Sequence, residues 1–200
     1  MPITAPDLAT QRLILRPLEP TDATEIVRLV NDFEVARYTA TIPYPYDMQM
    51  AVEFVEAPET SAAAAGRFLD DPEGAVVLAI ELKQSAQLIG CIGLQKTPDG
   101  PELGYWIGKE FWGFGYATEA AARMVRLAFE TYQLPELIAS AVTINDASHR
   151  VLEKVGFVIS GAGDIHSRAQ NCHLPVVHRR LNFADWQQAQ LRAAQGYAAQ

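Results

Sequence analysis

Glu102-Leu-Gly-Tyr-Trp-Ile-Gly-Lys-Glu-Phe-Trp-Gly-Phe-Gly-Tyr-Ala-Thr-Glu119 is the stretch on which the fold turns. Its first part, Pro101–Gly108, reads as a strand. Period-two alternation puts Glu102, Gly104, Trp106 and Gly108 on one face and Leu103, Tyr105 and Ile107 on the other. Gly113–Ala117 then makes a glycine-rich turn, and Thr118–Tyr132 is an amphipathic helix. Gly113 and Gly115 leave the backbone bare where a ligand must approach it. The first turn of the helix offers unpaired N–H groups and the positive end of the helix dipole. Together they form an anion site suited to a pyrophosphate, to which the Thr118 hydroxyl adds a donor.

Other readings of the glycines are weaker. A nucleotide P-loop needs Gly-x-x-x-x-Gly-Lys-Ser/Thr, but Gly104 to Gly108-Lys109 is one residue short and Glu110 follows the lysine. A dinucleotide fingerprint fits Gly113-Phe-Gly115 until Thr118 takes the place of the last small residue, and hairpin-like strands precede it rather than a βαβ unit. A nicotinamide-dependent oxidoreductase is the runner-up outside coenzyme A chemistry. The third alternative is a tight turn with no ligand.

Working outward, Arg12–Arg16 alternates and meets Pro17, giving a first strand. Thr21 is the expected cap of a helix from Asp22 to about Asn31, with Glu25 completing a near capping box. Val35–Tyr38 reads as one more helical turn, and Thr41–Tyr46, with two prolines, as an extended loop. Asp47 caps a helix from Met48 that breaks near Pro58 and resumes to about Leu69. Ala75–Leu82 and Leu88–Gln95 are apolar strands joined at Ser85–Gln87 as a hairpin. Leu137–Val142 is a strand, and Asp146–Val155 a helix closed by Gly156. Phe157–Ser160 and Leu174–Leu181 are the last strands, followed by a terminal helix over Ala184–Gln195. The order describes helices layered on a mixed sheet, an α/β (α+β) architecture.

The 200 residues suit one domain, 1–200 with a core over about 10–185, and carry a net charge of −8. That charge disfavours a nucleic-acid partner and is compatible with attraction of a cationic substrate. No apolar run reaches the roughly 20 residues of a membrane helix, and Met1–Thr10 lacks the pattern of a secretory leader. Cys91 and Cys172 are far apart and unpaired in pattern, as expected of a reducing compartment, the cytoplasm. The four histidines show no metal spacing, so no metal is expected.

Trp112-Gly-Phe-Gly-Tyr-Ala-Thr-Glu-Ala120 resembles the acetyl-CoA pyrophosphate loop of the GNAT acyltransferases, whose core is Gln/Arg-x-x-Gly-x-Gly/Ala. Trp112 stands at the Gln/Arg position, a departure shared with the branch that acetylates ribosomal-protein N-termini. Glu102-Leu-Gly-Tyr-Trp106, Asn145-Asp-Ala-Ser-His-Arg-Val-Leu-Glu-Lys-Val-Gly-Phe157, Val35-Ala-Arg-Tyr38 and Thr10-Gln-Arg-Leu-Ile-Leu-Arg-Pro-Leu18 are similar to that branch too, so the resemblance spans about Thr10 to Asp185. It implies a mixed, mostly antiparallel seven-stranded sheet in which strands Pro101–Gly108 and Leu137–Val142 splay apart to admit acetyl-CoA. It also implies direct transfer of an acetyl group to a primary amine.

On that resemblance Trp112, Gly113, Phe114, Gly115, Tyr116, Ala117 and Thr118 bind the cofactor, with the pyrophosphate resting on the amides from Gly113 to Thr118. Asn145 contacts pantetheine, and Ser148 bonds the cofactor sulfur as general acid. A backbone N–H near Ile107 is the candidate for polarising the thioester carbonyl. Asn145 and Ser148 also suit plain helix capping. The base is Glu102, directly or through water, or water alone. Tyr38, Tyr44, Tyr46 and Trp106 are candidate acceptor-pocket residues and equally candidate core or loop anchors. The acceptor is a protein N-terminus or a small amine, with a noncatalytic acyl-CoA-binding module as the further alternative. A monomer or homodimer fits equally.

Overall fold

A computed structural model describes residues 8–71 and 74–197. Most of the Met1–Thr10 segment read for a leader therefore lies outside the described residues. In chain order the elements are β1 (Leu13–Arg16), α1 (Asp22–Val30), α2 (Phe33–Ala36), α3 (Met48–Val55), a 3-10 turn (Pro58–Thr60), α4 (Ala64–Arg67), β2 (Ala75–Leu82), β3 (Gln87–Thr97) and β4 (Gly100–Ile107). A 3-10 turn (Lys109–Phe111) leads into α5 (Tyr116–Arg126), which ends in a π-helical turn (Leu127–Thr131). Then come β5 (Glu136–Val142), α6 (Asp146–Val155), β6 (Val158–Ser167), β7 (Cys172–Asn182) and α7 (Phe183–Tyr197).

The strands form one seven-stranded sheet in the order β1-β2-β3-β4-β5-β7-β6. All neighbours are antiparallel except β4 and β5. The central strands read as near-continuous apolar runs because helices cover both faces. On one face Leu78, Ile80, Leu103, Leu137 and Ala139 pack beneath α5 and α6 with Met124, Val125 and Leu152. On the other, Ala79, Cys91 and Trp106 pack with Ile26, Leu29 and Val30 of α1 and Ala51 and Val55 of α3. This matches the face assignment read from the alternation of β4.

Two local expectations are corrected. Thr21 has helical backbone angles and makes no side-chain cap. The carboxylate of Asp22 points back along the chain, accepting from the Glu19 amide at 2.8 Å while held by Arg16 at 2.8 and 2.9 Å. The half-buried Arg16 guanidinium holds the first acidic residue of the helix, and Glu25 pairs with Arg28 rather than closing a capping box. Second, α5 starts at Tyr116, two residues before the expected Thr118, because Gly115 itself is the cap, in the left-handed region at φ 80°.

Candidate active site

β4 and β5 pair at one position only, Glu102 opposite Ile138, and then diverge. Gly108 N–H donates to Ile89 O on β3, so alternation turns the Ile107 amide and carbonyl to the opposite edge, into the gap. Trp112 Nε1 donates to that carbonyl at 2.7 Å. The indole thereby satisfies a group that a neighbouring strand would otherwise take, and leaves the Ile107 N–H facing the opening. The resulting cleft has a volume of about 1310 Å³ and crosses the sheet from the N-terminus of α5 to the underside of α1 and α3.

At one end lies the turn before α5. Gly113 and Gly115 have φ of 82° and 80°, where an L side chain is strained. A Cβ on Gly113 would meet nothing within 4 Å, so the bare backbone there faces open space rather than packing. The first intrahelical bond of α5 is Glu119 N–H to Gly115 O, and no side chain caps the helix. The amides of Tyr116, Ala117 and Thr118 are therefore directed outward as free donors at the positive end of the dipole. Arg12, quoted above only within its motif, shapes this turn. Its Nη1 donates to Phe114 O at 2.9 Å, its Nε pairs with Glu119 at 2.7 Å, and its guanidinium lies over the Tyr116 ring at 4.7 Å. Thr10 Oγ1 and the Arg12 amide both donate to Glu119 Oε1, at 2.6 and 2.8 Å. Burial raises the pKa of that carboxyl, but the hydroxyl, amide and guanidinium outweigh it and hold it below the usual range.

In the middle stands Ser148. Asn145 Oδ1 accepts from the Ser148 amide at 3.2 Å, so Asn145 does cap α6. The Ser148 hydroxyl lies 2.9 Å from the Tyr105 hydroxyl. Burial pushes the Tyr105 phenol up to about 12, with the bond to Ser148 lowering it in part. Alternation sets Tyr105 on the face of Leu103 and Ile107, and it is half-buried there, packed against the core on the α6 side. The missed signal is that a tyrosine on an aliphatic strand face brings a hydroxyl that must find a partner.

Of the other residues singled out from sequence, Glu102, Trp106, Ile107, Trp112, Gly113, Gly115, Tyr116, Ala117, Thr118, Asn145, Tyr38 and Tyr46 all line this cleft. Tyr44 and Phe114 do not. Tyr44 is exposed and packs against Phe33 with ring centroids 5.3 Å apart, which keeps it off the cleft wall. The Phe114 ring is 60% exposed and stacks on Tyr116, so only its backbone belongs to the turn. Tyr46 is buried and donates to Met50 O at 3.2 Å, which makes it an anchor of α3 as well as a wall.

A mixed seven-stranded sheet split between β4 and β5, with a free helix N-terminus at the gap, defines the class. Residues 12–158 match the family described as the acetyltransferase (GNAT) domain, and the chain belongs to that family. Among its relatives is the N-acetyltransferase YoaA of Bacillus subtilis (strain 168), 32% identical over 159 residues, covering 78% of this chain and 85% of YoaA. The fold is also that of RimL, a ribosomal L7/L12 α-N-protein acetyltransferase solved with coenzyme A (TM-score 0.72, 15% identity, 88% of this chain and 97% of RimL). The ribosomal-protein-S5-alanine acetyltransferase of Vibrio fischeri is similar as well (TM-score 0.67, 18% identity, 89% and 97% covered). The protein is thus an acetyltransferase of the GNAT type. No helix among the described residues is long and apolar enough to cross a membrane.

Proposed function

We propose that this protein transfers the acetyl group of acetyl-CoA to the α-amine of a protein N-terminus, in the cytoplasm, by direct attack in a ternary complex. The observation that carries the reading is the continuous cleft through the sheet, open at the α5 turn to a phosphate-bearing donor and on the α1/α3 side to an acceptor. The diphosphate rests on the amides of residues 113–118, and pantetheine follows the unpaired edge of β4 past Asn145. The Ile107 N–H polarises the thioester carbonyl. Ser148, supported by Tyr105, donates to the departing sulfur. A serine hydroxyl is a poor acid by itself, and the protonated phenol behind it strengthens that donation. Glu102, at the closed base of the gap, attracts the incoming ammonium, and Tyr38 and Trp106 flank its path. No metal, nucleic acid or membrane enters this scheme, and a monomer or homodimer serves it equally.

A small amine is the second reading, favoured by one feature. The Arg168 amide and guanidinium donate to the carbonyls of Ala40 and Thr41 at 3.1 and 3.2 Å, so loop 39–43 is tied across the acceptor mouth to the β6–β7 turn. That strap restricts access to the cleft from this side, which favours a small acceptor over a bulky one. Thiol release from acetyl-CoA with α-amino peptides, free amino acids, polyamines and aminoglycosides, followed by mass spectrometry of the product, separates the readings. Turnover of peptides alone supports an N-terminal acceptor; turnover of small amines alone refutes it; no turnover with any acceptor points to an acyl-CoA-binding module.

A further inference from the structure

Ser140 and His178 form a pair that the scheme above does not use. Ser140 lines the cleft on β5, and its Oγ lies 3.0 Å from His178 Nδ1 on the neighbouring strand β7. Leu137, Ala139 and Ala141 point into the core beneath α6, so Ser140 faces the opposite side, the side of Glu102 and Trp106. Glu102 is opposite Ile138 in register, which brings Ser140 level with Gly104, just where the strands begin to part. Gly104 is exposed, and a Cβ on it would meet nothing within 4 Å. The space between Ser140 and β4 is therefore open to an acceptor. β6 is built to admit the imidazole: Gly161 is paired with His178, and a Cβ on Gly163 would come within 2.5 Å of His178 Nε2. Arg180 shares this face of β7 and is paired with Glu136 at 3.3 Å, so its charge is already matched.

We infer that Ser140 and His178 take the proton of the acceptor amine, an inference that rests on the acetyl-transfer reading above. The ammonium held by Glu102 gives one proton to Ser140 Oγ as the Ser140 proton passes to His178 Nδ1. The free amine then attacks the thioester carbon, forming the C–N bond. Collapse breaks the C–S bond, and the second nitrogen proton reaches the sulfur by way of Ser148. After the product leaves, the Nδ1 proton returns to Ser140 Oγ as the Ser140 proton passes to solvent in the emptied cleft, which restores the starting tautomer. Proton removal and proton delivery thus occur on opposite faces of the sheet, with the thioester in the gap between them.

The test compares acceptors that differ in their need for a base. One pair is an alanyl peptide and the same peptide with aminooxyacetyl in place of alanine; the other is benzylamine and O-benzylhydroxylamine. The oxygen-bound nitrogens are unprotonated at neutral pH and need no deprotonation before attack. Variants Ser140→Ala, His178→Asn and Glu102→Gln are assayed by thiol release, with CoA affinity measured by calorimetry. His178→Asn keeps an acceptor for the Ser140 hydroxyl but cannot take its proton. Loss of a general base costs about 100-fold or more, so kcat/KM for the alkylamine should fall by about that factor in Ser140→Ala and His178→Asn. The aminooxy acceptor should lose less than about threefold, at unchanged CoA affinity. Equal losses on both members of a pair would reduce the two residues to structural ones and overturn the inference. So would no loss in either variant, or a selective loss confined to Glu102→Gln. Wild-type turnover of the benzyl pair but not the peptides refutes the N-terminal acceptor alone, and the inference is then judged on the benzyl pair. Wild-type failure on both pairs overturns both.

Discussion

Gly113→Ala isolates what the bend before α5 is for. Gly113 sits at φ 82°, and its missing Cβ has no neighbour within 4 Å. Alanine there creates no clash, and its cost is conformational, roughly 1–2 kcal/mol for holding a left-handed angle. Gly156, the C-cap of α6 at φ 107°, is the matched control: its Cβ would touch Leu181 Cδ1 at an ordinary 3.4 Å, and it lies outside the cleft lining. For a chain of this size, 1 kcal/mol moves the melting temperature by about 2–4 °C. Both variants should therefore melt about 2–8 °C below wild type without ligand. Coenzyme A at one hundred times Kd adds about 2.7 kcal/mol, or roughly 5–10 °C. Gly156→Ala should keep this whole increment. In Gly113→Ala the methyl stands where the diphosphate approaches the backbone; a tenfold weaker Kd removes about half of it. Differential scanning fluorimetry with and without coenzyme A reads both numbers. A Gly113→Ala protein that keeps the full increment would refute the placement of the phosphates.

Ser148→Ala should lower kcat by more than it weakens coenzyme binding, and Tyr105→Phe should lower kcat by less than Ser148→Ala, about tenfold, because the serine keeps its place but loses its partner; steady-state kinetics beside calorimetry checks the split. Asp22→Ala removes the bidentate partner of the half-buried Arg16 guanidinium, which keeps Glu81, and should destabilise the fold by about 2 kcal/mol in urea titration. Glu119 is held below the usual carboxylate range, so its contribution is complete above about pH 4.3, where the unfolded carboxyl titrates, and is lost as pH falls through the lower folded value. Glu119→Gln should accordingly flatten the acid limb of the stability profile, measured by melting between about pH 3 and 6. Cys172 is exposed, whereas Cys91 is buried and burial pushes its thiol up. A thiol reagent should therefore titrate one cysteine quickly, and the second only on unfolding.

The strongest local signals were also the ones legible in the sequence. The strand–glycine–helix run fixed the position of the cleft because positive-φ glycines and a helix start leave marks within ten residues. The face assignment of β4 held because period-two alternation is a local property. What escaped was decided by partners distant in the chain. Thr21 makes no side-chain cap on α1, and the first acidic residue of that helix, Asp22, is drawn instead to Arg16, which bridges it to Glu81 across the sheet. Strand β6 runs on to Ser167, well past the expected end at Ser160, and Gly163 within that extension makes room for the His178 ring. Tyr44 was grouped with Tyr38 and Tyr46 by proximity in a proline-rich loop, and the loop turns it outward onto Phe33. The Arg12 contact with the α5 turn spans more than a hundred residues, and no spacing rule reaches that far.

The lone β4–β5 pairing has a price outside catalysis. Two strand edges face each other inside the molecule with their peptide groups unmatched, the kind of exposed edge that invites pairing with foreign chains. In the proposed complex the pantetheine takes the place of a missing strand and shields those amides. Preparations stripped of coenzyme should therefore aggregate sooner on storage than replete ones, even with no acceptor present and no turnover taking place.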